Sequence, residues 1–299
     1  MEVIEPSAKI VEFDSLLDQF ETCGRICYRS EGKMTPDSGK QFAANMLTRG
    51  HASTFDLNAL VVEIEFHDVD FSNSFWKSDR SFLNVTTDGR LVISGSIRAW
   101  REWLMANRAF TDLCHYFIKN YPIFFGDLVA HAGYVNRMPV SPVEELKQGA
   151  EYLAHTFASV FFVVNRAVSH ELVRHRVMGI LQSSQRYCRL KDGVQFIEPI
   201  FFKKGSYEYL IWCLACVAAE ETYLNLLKTK SPQAARTVLP NSCVTRLWMH
   251  ANLKQWAHVL YLRTGGGADP SMREVMKSLA VDFDCKFGLK MKRIGMDAI

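Results

Sequence analysis

The segment FASVFFVVNR, residues 157–166, constrains the fold more than any other stretch of the chain. Its β-branched and aromatic residues predict a strand, closed by the polar pair Asn165-Arg166. The chain runs straight on into AVSHELVRHRVMG, where Val168, Leu172 and Val173 suit one face of a helix. Another apolar stretch, LNALVVEIEF, has mixed faces and must enter a sheet. Such a sequence folds as mixed helix and sheet around a large core. With 48% hydrophobic and 22% charged residues in 299, it needs no disulfide staples, and composition excludes a disordered, collagenous or coiled-coil chain.

The rest of the pattern fits around that strand. A short strand at residues 8–13 precedes a helical segment, LLDQFETCGRICY. The turn Thr35-Pro36-Asp37-Ser38 starts a helix through Phe42, Met46 and Leu47, with Ser38 or Asp37 as cap and Gly50 as the stop. Thr87-Asp88-Gly89-Arg90 predicts a hairpin, Ile97 to Ile118 one long amphipathic helix, and residues 144–156 a further helix. Residues 121–143 read as loop and turn. The longest helix is expected at residues 206–229, a short one at Pro232 to Val238, and LPNSCVTRLWMHAN reads as a turn and a strand. Helices at 252–263 and 270–281 close the pattern, separated by Thr264-Gly265-Gly266-Gly267. No repeat or low-complexity linker divides the chain, so a single domain over residues 1–299 is expected.

Charge and cysteine use narrow the function classes. A formal net charge of +3 is too small to argue for nucleic acid. Eight cysteines do not make a disulfide scaffold in a chain this long. Cys213 and Cys216 lie in an apolar run that reads as a buried helix, and nothing nearby completes a four-ligand site, so no metal is expected. MEVIEPSAKI does not read as a signal peptide, and no stretch reaches ~20 uncharged apolar residues. The expectation is a cytoplasmic protein away from membranes.

The densest polar cluster is Glu171, Arg174, His175 and Arg176, followed by Gln182-Ser183-Ser184-Gln185-Arg186-Tyr187. The first part is expected on a short helix, where three consecutive basic residues cannot share one face. They read either as a solvated basic helix end or, if partly enclosed, as an anion site, because a buried arginine needs an anionic partner. The planar fork of arginine matches phosphate oxygens. Arg236, Asn252, His258 and Arg263 form a second set, with Asn252 and Arg263 able to lie on one side of a helix. Gly50-His51-Ala52-Ser53 is a third, its small residues leaving room for a ligand.

GHAST, RHRVMGILQSSQRY and ARTVLPNSCVTRLWMHANLKQWAHVLYLRTGGGADPSMRE together resemble the flavin-dependent thymidylate synthases. That family's signature is Arg-His-Arg, seven residues, a serine, and shortly after it Arg-Tyr. Arg174-His175-Arg176, Ser184 and Arg186-Tyr187 keep this spacing. The resemblance covers roughly residues 15–67 and 157–281, and the stretch at about 68–156 resembles only a family-variable insertion of longer members, notably in SGSIRAWREW.

The resemblance implies an α/β (α+β) fold with a central, mainly antiparallel sheet and packed helices. It implies methylation of deoxyuridine monophosphate to thymidylate, with methylenetetrahydrofolate as one-carbon donor, FAD as cofactor and NADPH as reductant. It also implies a homotetramer with shared active sites. His51, Ser53, Arg174, His175, Arg176, Gln182, Asn252 and His258 would contact the flavin. Glu171, Arg174, Gln182, Ser183, Ser184, Gln185, Arg186, Arg236 and Arg263 would contact the nucleotide. Arg263 would favour ionisation at uracil N3, while Ser184, lacking a His-Asp relay, would act through a substrate hydrogen bond. Cys188 beside the loop is not expected to attack the pyrimidine. Gly179, Asp56, Ser96, Asp269 and Arg246 depart from the family's usual Ser, Glu, Asn, His and acidic residue. They leave open another pyrimidine nucleotide or one-carbon donor, or a weakly active relative.

Overall fold

A computed structural model describes residues 1–64, 75–87, 90–108, 110–131, 140–143 and 150–288. Strands β1 (Glu2–Ile4) and β2 (Ser7–Val11) precede helices α1 (Leu16–Arg25) and α2 (Ser38–Thr48), then β3 (Ala59–Ile64). β4 (Asn84–Thr87), β5 (Leu91–Ser96), α3 (Ile97–Ala106), α4 (Thr111–Asn120), α5 (Pro122–Phe125) and β6 (Val140–Pro142) form the middle. β7 (Phe157–Asn165), α6 (Arg166–Leu172), β8 (Gly179–Gln182), β9 (Gln195–Ile197) and α7 (Tyr207–Leu227) follow. α8 (Pro232–Ala235), β10 (Val244–Asn252), α9 (Leu253–Thr264) and α10 (Pro270–Phe287) complete the order.

The strand expected at FASVFFVVN is β7, and its apolar residues are used on both faces. It lies inside an antiparallel sheet of order β2-β7-β10-β8. On one face Ala158, Val160, Phe162 and Val164 meet Trp256, Leu260, Met272 and Leu279 of α9 and α10. On the other, Phe161 lies against Trp248, whose cluster includes Cys23, Ile26 and Leu57. A second antiparallel sheet, β4-β5-β3-β6, buries its apolar side against α1 to α5, with Phe20, Trp100, Phe117 and Phe125 at the centre. The antiparallel character follows expectation, but the strands divide between two sheets, with β1 and β9 as a separate parallel pair. A 3-10 turn over Ala52–Leu57 connects α2 to β3 and rests against β8, so it joins one sheet to the other.

Several local expectations are corrected. Ile97 to Ile118 is two helices, because the Asn107 side chain bonds the Trp103 carbonyl and ends the first. Asp37 holds the N-cap position of α2 without a side-chain bond, while the Ser38 hydroxyl reaches Glu21 at 2.6 Å. Residues 121–143 contain α5 and β6 as well as turns, and the described part of 144–156 is a 3-10 turn at Ala150–Ala154. β4 and β5 flank the expected hairpin in antiparallel register, while Asp88 and Gly89 lie outside the described residues. α7 is not a buried helix. Cys216, Glu220 and Tyr223 are buried, but Tyr207, Leu210, Ile211 and Leu214 are exposed. It is the one helix among the described residues long and apolar enough to cross a membrane. Its Glu220 is nevertheless tied to the Met1 amino group and to the Val194 amide.

Candidate functional site

α6 begins where Asn165, the last residue of β7, turns its carboxamide oxygen back to the Val168 amide. It ends after Leu172, and the amides of Arg174 and His175 close a tight last turn onto Glu171 and Leu172. The Arg-His-Arg segment therefore lies beyond the helix, which corrects the expectation that it sits on it. Arg174 and Arg176 are exposed, whereas His175 is buried. Enclosure of the whole basic cluster is not observed.

The anion for an enclosed arginine comes from the chain itself. Arg263, in the last turn of α9, donates from Nη1 to Glu171 Oε2 at 2.6 Å and from Nε to His175 Nε2 at 2.8 Å. Its Nη2 donates to the Glu171 carbonyl. Three of the guanidinium's five N–H groups are thus committed, and the other two can serve a ligand. Burial, then the Arg263 cation and His258, hold the His175 pKa down to about 4. The ring is neutral near pH 7 and accepts from Arg263.

The segment 182–187 leaves β8 under tight control. Gln182 donates to Ser169 and Thr245, and Ser183 exchanges bonds with Arg246 across the sheet edge. The Ser184 amide bonds the Cys27 carbonyl, and its hydroxyl receives the Arg186 amide. Arg186 reaches Gln233 and lies over the Tyr187 ring, and Tyr28 stands between Tyr187 and His51. Arg166 is lowered by burial and then by the cation of Arg236, so these two arginines are neighbours. Arg186 and Arg236 have no carboxylate partner in the described ion pairs. Cys188 and Cys27 both have thiol pKa values raised by burial, Cys27 to about 11. They remain thiols at neutral pH, which removes their nucleophilicity.

Beside this region a cleft of about 260 Å³ opens between the two sheets. Its floor includes Gly179, His250 and Asn252, and its opposite wall includes Asn84, Ser96, Arg98 and Glu102. Asn252 caps α9 through the Gln255 amide and reaches Asn84 with its Nδ2. It faces this cleft, not the Arg263 clamp with which helical spacing grouped it. Three departures meet here. Ser96 donates to Asp56 at 3.1 Å, Arg98 pairs with Asp56 at 3.3 Å, and the Asp56 carbonyl oxygen sits 2.1 Å from where a Gly179 Cβ would be. Gly179 is thus a close backbone approach, and more than a hydroxyl separates it from serine.

Two further features were invisible in the sequence. Val177 has φ +63°, a strained value for a β-branched residue, and it lines the cleft. His250 is buried, with its Nδ1 near the Ser159 hydroxyl and its Nε2 without a partner among the described residues. Its alternation in β10 signalled a core position, but only the pairing with Gly179 places it at the cleft. Ser53 and His258 are exposed and His51 is partly so. Asp269 caps α10 through the Ser271 amide, and Arg246 reaches Gln195.

Residues 147–284 match the sequence profile of the Thy1 family, described as thymidylate synthase complementing protein. The chain is also similar to a flavin-dependent thymidylate synthase of Mycobacterium tuberculosis, 30% identical over 140 residues. That alignment covers 41% of this chain and 56% of the relative. The matched residues, somewhat under half of the chain, are similar to the flavin-dependent thymidylate synthases. A relative named flavin-dependent thymidylate synthase in Corynebacterium aurimucosum is 31% identical over 140 residues, with the same coverage. The chain spans about half the length of these curated relatives. Among solved structures, a UMP/dUMP methylase PolB from Streptomyces cacaoi bound with 5-Br dUMP is similar over 98% of this chain and 96% of that one. The TM-score is 0.44 and the identity 14%. The family match contains the Arg263 clamp and the 182–187 segment, but not the wall carrying Asp56, Asn84, Ser96 and Arg98.

Proposed function

We propose that the chain methylates C5 of deoxyuridine monophosphate to give thymidylate, using FAD, NADPH and methylenetetrahydrofolate. The observation that carries this reading is the convergence of Glu171 and His175 on the guanidinium of Arg263, 88 and more residues away in sequence, with N–H groups to spare. A bound flavin supplies the hydride that completes the methyl group. The chain's own task is to bind, orient and polarise. Arg186 and Arg236, without carboxylate partners in the described ion pairs, hold the nucleotide phosphate through charge-assisted bonds. Ser184 adds a hydrogen bond. Arg263, fixed in plane by Glu171 and neutral His175, offers its remaining N–H groups to the uracil edge and stabilises negative charge at N3.

The residues present suit a flavin. Buried His250, whose Nε2 has no partner among the described residues, the strained Val177 and the Asn84–Asn252 amide pair all line one cleft. At about 260 Å³ it falls below the ~300–1,000 Å³ usual for a drug-sized ligand. That supports a homotetramer in which a second copy completes the site, and the exposed apolar face of α7 gives such an assembly a surface to bury. A second reading, another pyrimidine nucleotide as substrate, is favoured by the meeting of the Asp56, Ser96 and Gly179 departures in one wall.

The test is product identification after incubation with FAD, NADPH and methylenetetrahydrofolate, with dUMP or UMP as acceptor. Thymidylate from dUMP supports the first reading, and methylation of UMP alone selects the second. Neither product from a chain that retains flavin refutes both.

A further inference from the structure

We propose that an apolar crevice beside α3 binds the aromatic ring and carboxylate tail of the one-carbon donor, with Arg98 as the carboxylate-binding residue. The proposal rests on the reading above, which makes that donor a reduced folate carrying an aroyl-glutamate arm. The crevice measures about 150 Å³ and is lined by Met46, Leu47, Ala52, Phe55 and Met105, with Arg98, Arg101 and Glu102 at its rim. A dry apolar cavity of about that size accepts a benzene ring. It opens at Gly50–Ala52, the segment that carries His51. Arg98 and Glu102 also line the larger cleft that holds Asn252 and Gly179. The Arg98–Glu102 ion pair, 2.7 Å long, is therefore the partition between the two spaces. A ligand reaching across it has its reacting end on one side and its ring on the other.

The charges at the rim decide what such a ligand carries. Arg101 is committed, with both Nη groups on Asp127 and one also on the Phe124 carbonyl. Arg98 is exchangeable. Its i,i+4 partner Glu102 is half-exposed, and such an exposed pair is weak, while Asp56, more buried, keeps its own contact with Nη1. A ligand carboxylate can replace Glu102 on the guanidinium, like for like and with planar bidentate geometry. A free phosphate offers no ring for the crevice. A nucleotide places its ring and phosphate at Arg263 and the 182–187 segment instead. A flat ring joined to a carboxylate meets both demands. None of these lining residues falls in the family-matched range 147–284.

The experiment compares the full chain with Arg98→Gln and Met105→Trp. The second fills the crevice from an exposed position without touching the ion pair. Donor KM, dUMP KM, kcat and flavin content are measured, and binding of p-aminobenzoylglutamate is followed by calorimetry. Both variants are expected to raise donor KM about tenfold and to lose the fragment, and Met105→Trp, outside the cleft, is expected to leave dUMP KM, kcat and flavin content unchanged. Unchanged donor KM and fragment affinity in both variants overturn the proposal. Fragment binding that disappears in both variants supports the site even if the chain makes no thymidylate. A chain that makes thymidylate without binding the fragment keeps the functional reading and discards the site.

Discussion

At the scale of single residues, the clamp around Arg263 separates chemistry from cofactor retention. Its three bonds all go to Glu171 and His175, groups that hold its plane and leave two N–H groups outward. Arg263→Ala is expected to cut kcat by about 10²–10³, the usual cost of removing a transition-state donor. Flavin content should fall far less. Turnover and bound flavin measured on one preparation decide it, and equal loss of both contradicts the assigned role. Gly179 makes a different kind of claim. An added Cβ would lie 2.1 Å from the Asp56 carbonyl oxygen, and backbone there cannot swing aside as a long side chain can. Gly179→Ala is expected to destabilise the chain by about 1–3 kcal/mol, read as a lower denaturant midpoint with unchanged slope. An unchanged midpoint would mean that the Ala52–Leu57 turn shifts freely on β8.

At the scale of elements, β7 and β10 end alike, each in an asparagine that caps the helix it feeds. Asn165→Ala and Asn252→Ala should each cost about 1 kcal/mol of stability. Only Asn252 also reaches into the cleft, so only its replacement should weaken flavin binding, measured by absorbance titration beside thermal melts. The elements that the sequence announced best are those whose residues carry their own signal. β7 is predominantly apolar because helices cover one face and Trp248 the other, and α7 is a long helical run. The elements it hid depend on contacts between distant segments. Nothing in Arg174-His175-Arg176 says that α6 has already ended, since the cause is a backbone turn stabilised from outside by Gln255 on the Arg176 carbonyl. The aromatic period from Ile97 onward continues across the break at Asn107, so periodicity reads one helix where a side chain caps two. The Arg-His-Arg and serine spacing located the candidate site. The wall of Asn84, Ser96 and Arg98 was legible only as separate residues, because a second sheet must pack against β8 to bring them there.

At the scale of the whole molecule, three histidines make the chain's stability depend on acid. Burial pushes His155 to about 4 and His250 to about 3, and burial with the Arg263 and His258 charges pushes His175 to about 4. All three lie at junctions. His155 is held between Ser94 and Thr86 at the second sheet, His250 joins the first sheet to Gln19 of α1, and His175 joins α6 to α9. The unfolded chain takes up these protons near the ordinary histidine value of about 6.5, whereas the folded chain resists until about 4 or below. In that interval the unfolded state binds more protons. Stability contributed by the neutral rings is therefore full above pH ~6.5 and is lost progressively as the pH falls toward 4. Asp56 and Glu274 work against this trend, since burial raises their carboxyl pKa values and the folded state takes those protons early, but they are two groups against three. Urea midpoints should fall steeply from about pH 6.5 to 4.5, with a proton uptake on unfolding approaching three. His155→Gln and His250→Gln should each lower the neutral-pH midpoint but remove about one proton from that slope. A wild-type midpoint that stays flat across this interval would show that the rings are already charged in the folded chain. The neutral acceptor at His175, on which the orientation of Arg263 depends, would then be lost with it.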